Sequence, residues 1–277
     1  MLVGVDFTSR PARRKPIVMA CGERDGDQVR LQGLRRLESL DAFARWLAEP
    51  GDWVAGLDLP FGLPRELVQA LGWPTDWRAC MRHYASLSRA EIRACFAAFC
   101  AARPTGGKFA HRATDGPAGS SPSMKWVNPP VAFMLHAGVA PLIAAGVHLP
   151  GLHDGDRRRV ALEAYPGLLA RACIGRASYK SDEPRRQTPE RAAARRQMLE
   201  VLQQGAPGLG LRLVLDADQR EVLVQDASGD CLDAALCLLQ AAWAERAHAR
   251  GDLRYGLPGR FDPLEGWIVT APERSAR

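Results

Sequence analysis

Four acidic residues stand where apolar runs end or where a late helix begins. Asp6 closes Leu-Val-Gly-Val-Asp, Asp58 closes Val-Ala-Gly-Leu-Asp, Glu163 closes Val-Ala-Leu-Glu, and Asp233 follows Gly-Asp-Cys-Leu, with Asp230 three residues before it. A carboxylate at the end of a buried strand loses hydration, and several brought together repel, so a divalent cation is the natural group to hold them. Hard oxygen ligands suit Mg²⁺ or Mn²⁺. The set is therefore read as a candidate metal centre. Asp230 and Asp233 share a helical face, so either could point inward. Taken singly, Asp58 can cap the turn after it and Asp230 can serve as a helix cap.

Cations that could face a phosphate occur in three places. Lys108 and Arg112 lie with Asp115 in Lys-Phe-Ala-His-Arg-Ala-Thr-Asp, Lys180 follows Tyr179 beyond Glu163, and Arg10, Arg13, Arg14 and Lys15 cluster after Asp6. The last group reads as a solvated hairpin. The six histidines have no H-E-x-x-H spacing, and the tryptophans read as core, with Trp126 after Lys125 able to stack on a base. No Walker loop, G-x-G-x-x-G or G-x-S-x-G occurs, which removes the commonest nucleotide-binding and serine-hydrolase signatures.

The elements that must position these residues follow from periodicity and turn chemistry. Residues 2–7, 16–22 and 28–33 read as strands, with Asp25-Gly26 marking a hairpin between the last two, so the chain opens with a three-strand meander. Residues 39–48 carry a helical apolar stripe with Ser39 as N-cap, and residues 53–59 form the next buried strand. From 61 to 157 the pattern changes to helical runs at 64–71, 88–102 and 131–145, separated by a Gly/Ser/Pro-rich stretch at 104–123. That is the pattern of a helical insertion. A strand at 159–165, a charged helix at 189–204, a short strand at 211–215 and a long helix from about 228 complete one α/β domain over residues 1–277.

Bulk properties agree with an ordinary globular chain: 277 residues, 47% apolar and 25% charged, with 37 Lys and Arg against 31 Asp and Glu. The resulting net charge of +6 fits a polyanionic partner without requiring one. Seven cysteines, odd in number and without a C-x-x-C pair, read as reduced core residues. The apolar stretch at 131–150 is interrupted by His136, Pro141 and His148 and reads as buried helix, not membrane span. With no basic-then-apolar leader, the chain is expected to be soluble and cytoplasmic.

Strand order and acid placement together resemble the RNase H-like superfamily, in which a meander, a helix and further strands carry acids on the first strand, on later strands and on a final helix. The phrases Gly4-Val5-Asp6-Phe7-Thr8-Ser9, Gly56-Leu57-Asp58-Leu59-Pro60-Phe61-Gly62, Glu163-Ala164-Tyr165-Pro166, Asp233-Ala234-Ala235 and Glu265-Gly266-Trp267-Ile268 are similar to motifs of one family of unknown function described as predicted nucleases with that fold. The likeness runs over nearly the whole chain. It implies phosphodiester hydrolysis of nucleic acid, DNA or RNA, by two divalent ions roughly 4 Å apart. Asp6 would bridge both ions, Asp58 and Glu163 would complete the shell, and Asp233 or Asp230 would come from the last helix. Asp6, Asp58, Glu163 and Asp233 are then the catalytic acids, and Lys108, Arg112 and Lys180 the substrate contacts. Two other readings stay open. One is an actin-like or sugar-kinase-like phosphotransferase, against which a second phosphate loop is lacking. The other is a catalytically silent binding protein that uses the insertion as an interface.

Overall fold

The computed structural model describes residues 1–273. Strands β1 (Leu2–Asp6), β2 (Ile17–Asp25) and β3 (Gln28–Leu37) form the expected antiparallel meander, turning at Gly26 and Asp27. Helix α1 (Leu40–Ala48) follows, and its Ser39 cap accepts the Ala42 N–H at 3.1 Å. It carries the chain back so that β4 (Trp53–Leu57) lies parallel beside β1, with Val3 opposite Ala55 and Val5 opposite Leu57. The Asp6 and Asp58 strands are thus neighbours running the same way.

Between β4 and its next parallel neighbour lie α2 (Arg65–Ala70), α3 (Trp77–Ser86), α4 (Arg89–Ala101), the single turn α5 (Asp115–Ala118) and α6 (Val131–Ala145). Strands β5 (Val147–His148) and β6 (Asp156–Glu163) then join the sheet, followed by α7 (Pro166–Ile174), α8 (Pro189–Gly205), β7 (Arg212–Val214), α9 (Ala217–Gln225) and α10 (Asp230–Ala249). The sheet has seven strands in the order β5-β6-β4-β1-β2-β3-β7, parallel except for the meander. Among the described residues no helix is long and apolar enough to cross a membrane.

Helices cover both faces because side chains alternate along each strand. Val3, Val5, Ile17, Met19, Ala55 and Leu57 pack against α1, α3 and α6 on one face. Leu2, Val18, Ala20, Val29 and Leu31 pack against α8, α9 and α10 on the other. Helix α10 lies directly on the backbone of β1 and β4. A Cβ on Gly4 would overlap the Ala234 carbonyl oxygen and the Leu238 nitrogen, and one on Gly56 would fall 2.6 Å from the Cys237 oxygen. Those two glycines face each other in register, so the helix settles into one shared groove.

Helices α3, α5, α7 and α9 were not expected from periodicity. Their start signals were nonetheless present: Asp76 caps α3, Pro166 occupies the first turn of α7, and Asp216 with Gln219 forms a capping box on α9. The single turn α5 and the polar α9 leave too weak an apolar stripe to be read by period alone. Region 61–157 also supplies β5, a sheet strand where only helices were expected. All seven cysteines are unpaired and buried or half-buried.

Candidate active site

The carboxyl ends of β1, β4 and β6 open into a cleft of about 430 Å³. Its floor carries Asp6, Asp58, Glu163 and Asp230, while Pro129, Pro130 and Met134 from the start of α6 form an apolar wall. Leu2, Gly4 and Asp6 project to the α10 side of the sheet, as do Val54, Gly56 and Asp58, so alternation turns both aspartates towards the beginning of α10. Asp6 is only 8% exposed. Neither carboxylate has a hydrogen-bond partner among the described residues. Burial, then Asp233 and Asp230, push the Asp6 pKa well above the ordinary aspartate range. Burial and Asp233 likewise raise Asp58 to about 7, with Lys180 opposing.

The acids of α10 are, by contrast, compensated. Tyr179 donates its hydroxyl to Asp233 at 2.5 Å, and the Lys180 ammonium binds the other Asp233 oxygen. Burial disfavours the Lys180 charge, but Asp233 and Asp6 outweigh it and hold the pKa well above the lysine range. Gly229 makes this contact possible: it caps α10 in the left-handed region at φ +78, and a Cβ there would lie 2.6 Å from that of Lys180. Asp230 pairs with Lys15 at 2.7 Å, and Lys15 also reaches Asp182 at 2.6 Å. Lys15, expected in a solvated hairpin, therefore belongs to the cleft, while Arg10, Arg13 and Arg14 are exposed.

Glu163 stands apart from the other acids. It is level with Leu57, so the residue level with Asp58 is Ala164, and Glu163 projects to the opposite face of the sheet. There Arg112 holds it with two nitrogens, at 2.7 and 2.8 Å, and the Phe61 N–H donates at 2.9 Å. The same guanidinium donates to Asp115 at 2.9 and 3.0 Å and to the Glu265 carbonyl at 3.0 Å. Arg112 and Asp115 are fully buried. Burial raises the Glu163 pKa and Arg112 opposes the rise. Arg112, expected to meet substrate, lines the cleft and also bridges the insertion to β6 through its ion pairs, and Glu163, expected in a metal shell, is held by it. Lys108 is exposed and outside the cleft walls, near Cys100, because its loop turns away where Phe109 packs edge-on against Trp126. Trp126 is thereby engaged in packing.

Residues 4–258 match the family described as "Protein of unknown function (DUF429)". The chain belongs to this family. No curated protein and no solved structure matches it. The chain beyond the matched residues also takes part in the site's scaffold. Glu265 accepts N–H groups from Arg65 at 2.9 Å and Ala113 at 2.7 Å, which ties the chain end to both sides of the insertion. Tyr179 is the site member given no role from the sequence, and Lys15 is named there but read as solvated. For Tyr179 the only signal was its place beside Lys180.

Among the described residues no three His, Cys, Asp or Glu side chains are gathered so as to hold a metal ion as they stand. The reason lies in the cations just described: Lys180 and Lys15 hold the α10 acids, and Arg112 holds Glu163. What remains is Asp6, nine-tenths buried and unpartnered, with Asp58 beside it. Two carboxylates at an open cleft suit a hard cation of the Mg²⁺ type, which keeps several waters and commonly takes only one or two protein carboxylates together with substrate phosphate.

Proposed function

We propose that the chain is a divalent-metal-dependent phosphodiesterase acting on nucleic acid, with its sheet of the RNase H-like class. The meander, α1 and the parallel return of β4 beside β1 support the fold assignment. The observation that carries the activity is the unpartnered pair of Asp6, buried, and Asp58, half-buried, on neighbouring strand ends in a cleft bordered by lysines. Asp6 and Asp58 would hold Mg²⁺ or Mn²⁺, which when bound supplies an activated water and neutralises phosphate charge. A second ion would need Asp233, and hence the departure of Lys180 from it. Lys180 and Lys15 offset the repulsion that an anionic substrate would meet from four acids. The wall at Pro129, Pro130 and Met134 keeps water from the substrate's apolar face.

Purified protein incubated with DNA and RNA in Mg²⁺ or Mn²⁺ is expected to cleave at least one of them. Asp6→Asn keeps the shape and removes the charge, and should lower the rate on the order of 100-fold or more. Asp41→Asn, on an exposed turn of α1, should leave it unchanged. Absence of cleavage, or an Asp6→Asn variant as active as the parent, would end the proposal. The position of Lys180 on Asp233 favours one alternative, a silent binding module in which the ammonium is the permanent counter-ion. Failure of Mn²⁺ to bind in calorimetric titration would select it.

A further inference from the structure

Past Lys180 the cleft adjoins a second hollow of about 400 Å³, which runs along α7 from Tyr165 to Ala177. Asp58, Tyr165 and Lys180 border both spaces. The second hollow differs in charge: Asp58 is its one acid, and it presents Arg171 and Arg176. Arg176 is exposed and has no ion pair or hydrogen bond among the described residues. Tyr165 is half-buried and fixed in place, because Arg171 lies 5.3 Å from its ring centre, reaches its hydroxyl at 3.4 Å and is itself anchored on the Ala118 carbonyl. An ordered ring with a free cation beside it, next to a phosphate-directed acid pair, matches what a nucleotide offers: a π-face and a negative charge.

We propose that the second hollow receives the nucleotide adjacent to the one whose phosphate meets Asp6 and Asp58, so that a single strand crosses the site past Lys180. This rests on the phosphodiesterase reading. Each hollow is at the small end of the range for ligand pockets, room for one nucleotide and not for a base pair with both backbones. Pro129 and Pro130 of the insertion line the first hollow. Tyr165 serves as a stacking platform indifferent to base identity, and Arg176 takes the flanking phosphate.

The test is fluorescence anisotropy in EDTA, where no cleavage confuses binding, with labelled thymidylate and uridylate dodecamers and a dodecamer duplex. A single strand of at least one sugar type should bind at least about tenfold more tightly than the duplex. Tyr165→Ala should weaken that binding roughly 5- to 150-fold, and Tyr165→Phe should retain it. Arg176→Ala should reduce the slope of log affinity against log salt by about 0.7, the value for one phosphate on a single strand. Equal binding of duplex, no binding of either strand, or parental affinity and slope in both Tyr165→Ala and Arg176→Ala would overturn the inference. Hydrolysis of bis(p-nitrophenyl) phosphate reads the acid pair: it should be lost in Asp6→Asn and kept in Asp41→Asn, whose side chain is exposed on α1. Its absence from the parent protein would sink the phosphodiesterase reading and leave strand binding to be decided by anisotropy.

Discussion

Asp58 is raised to about 7 by burial and by Asp233, so between roughly pH 4 and pH 7 the folded chain holds a proton that the unfolded chain has released. The folded state binds more protons over that window, so this group's contribution to stability falls as pH rises through it. Metal-free Asp58→Asn should therefore melt higher than the parent at pH 8, with the gap closing near pH 4; a gap independent of pH would contradict the assignment. Protons and cations compete for the same oxygens, so Mn²⁺ affinity should improve as pH rises through 7. Arg112 makes the opposite kind of prediction. Removing it leaves Glu163 and Asp115 buried without their cation, and Arg112→Ala should cost about 3–5 kcal/mol in denaturant unfolding. Glu163→Gln in that background should restore part of the loss, whereas additive losses would show that the pair does not interact.

Among the elements, α10 matters most to the site, because it brings Asp230, Asp233 and, through Gly229, Lys180 to the ends of β1 and β4. Its depth is set by Gly4 and Gly56, where helix backbone meets strand backbone with no side chain between. Gly4→Ala meets rigid main chain and must push the helix outward. The expected destabilisation is about 1–3 kcal/mol or more, and the folded fraction should lose activity, because Asp233 moves away from Asp6. A folded Gly4→Ala variant with full activity would show that α10 is not needed at that depth. Helix α7 acts at the same scale: starting at Pro166, it places Tyr165 at the junction of the two hollows.

Across the whole molecule, a seven-stranded sheet covered on both faces leaves the strand ends as the place where acids can gather without filling the core. A bound cation stabilises the folded state by mass action. At a concentration one hundred times its Kd, Mn²⁺ should raise stability by about 2.7 kcal/mol, seen as an upward shift of melting temperature, and Asp6→Asn should abolish the shift. The net charge of +6 gives only weak general attraction for a polyanion, so the salt dependence of nucleic-acid affinity should be shallow and set by the few cations at the cleft.

Local signals in the sequence were sufficient for the meander, the Ser39 cap, the existence of the Asp6 and Asp58 strands and the α10 pattern, because turn residues, caps and periodicity act over a few residues. They also singled out Asp6 and Asp58, since a carboxylate closing an apolar run is visible without a structure. The direction of Glu163 was not visible in the same way. Alternation told that Glu163 opposes Leu162, but which face meets α10 depends on the register of β6 against β4, and that is set by packing between segments about a hundred residues apart. The partners of the cations were likewise decided by tertiary structure. Arg112 reaches Glu163 across 51 residues, Lys180 reaches Asp233 across 53, and Lys15 reaches Asp230 across 215. Charge acts through space, so residue type showed which groups could pair, and only the folded chain showed which acids are neutralised and which two remain open.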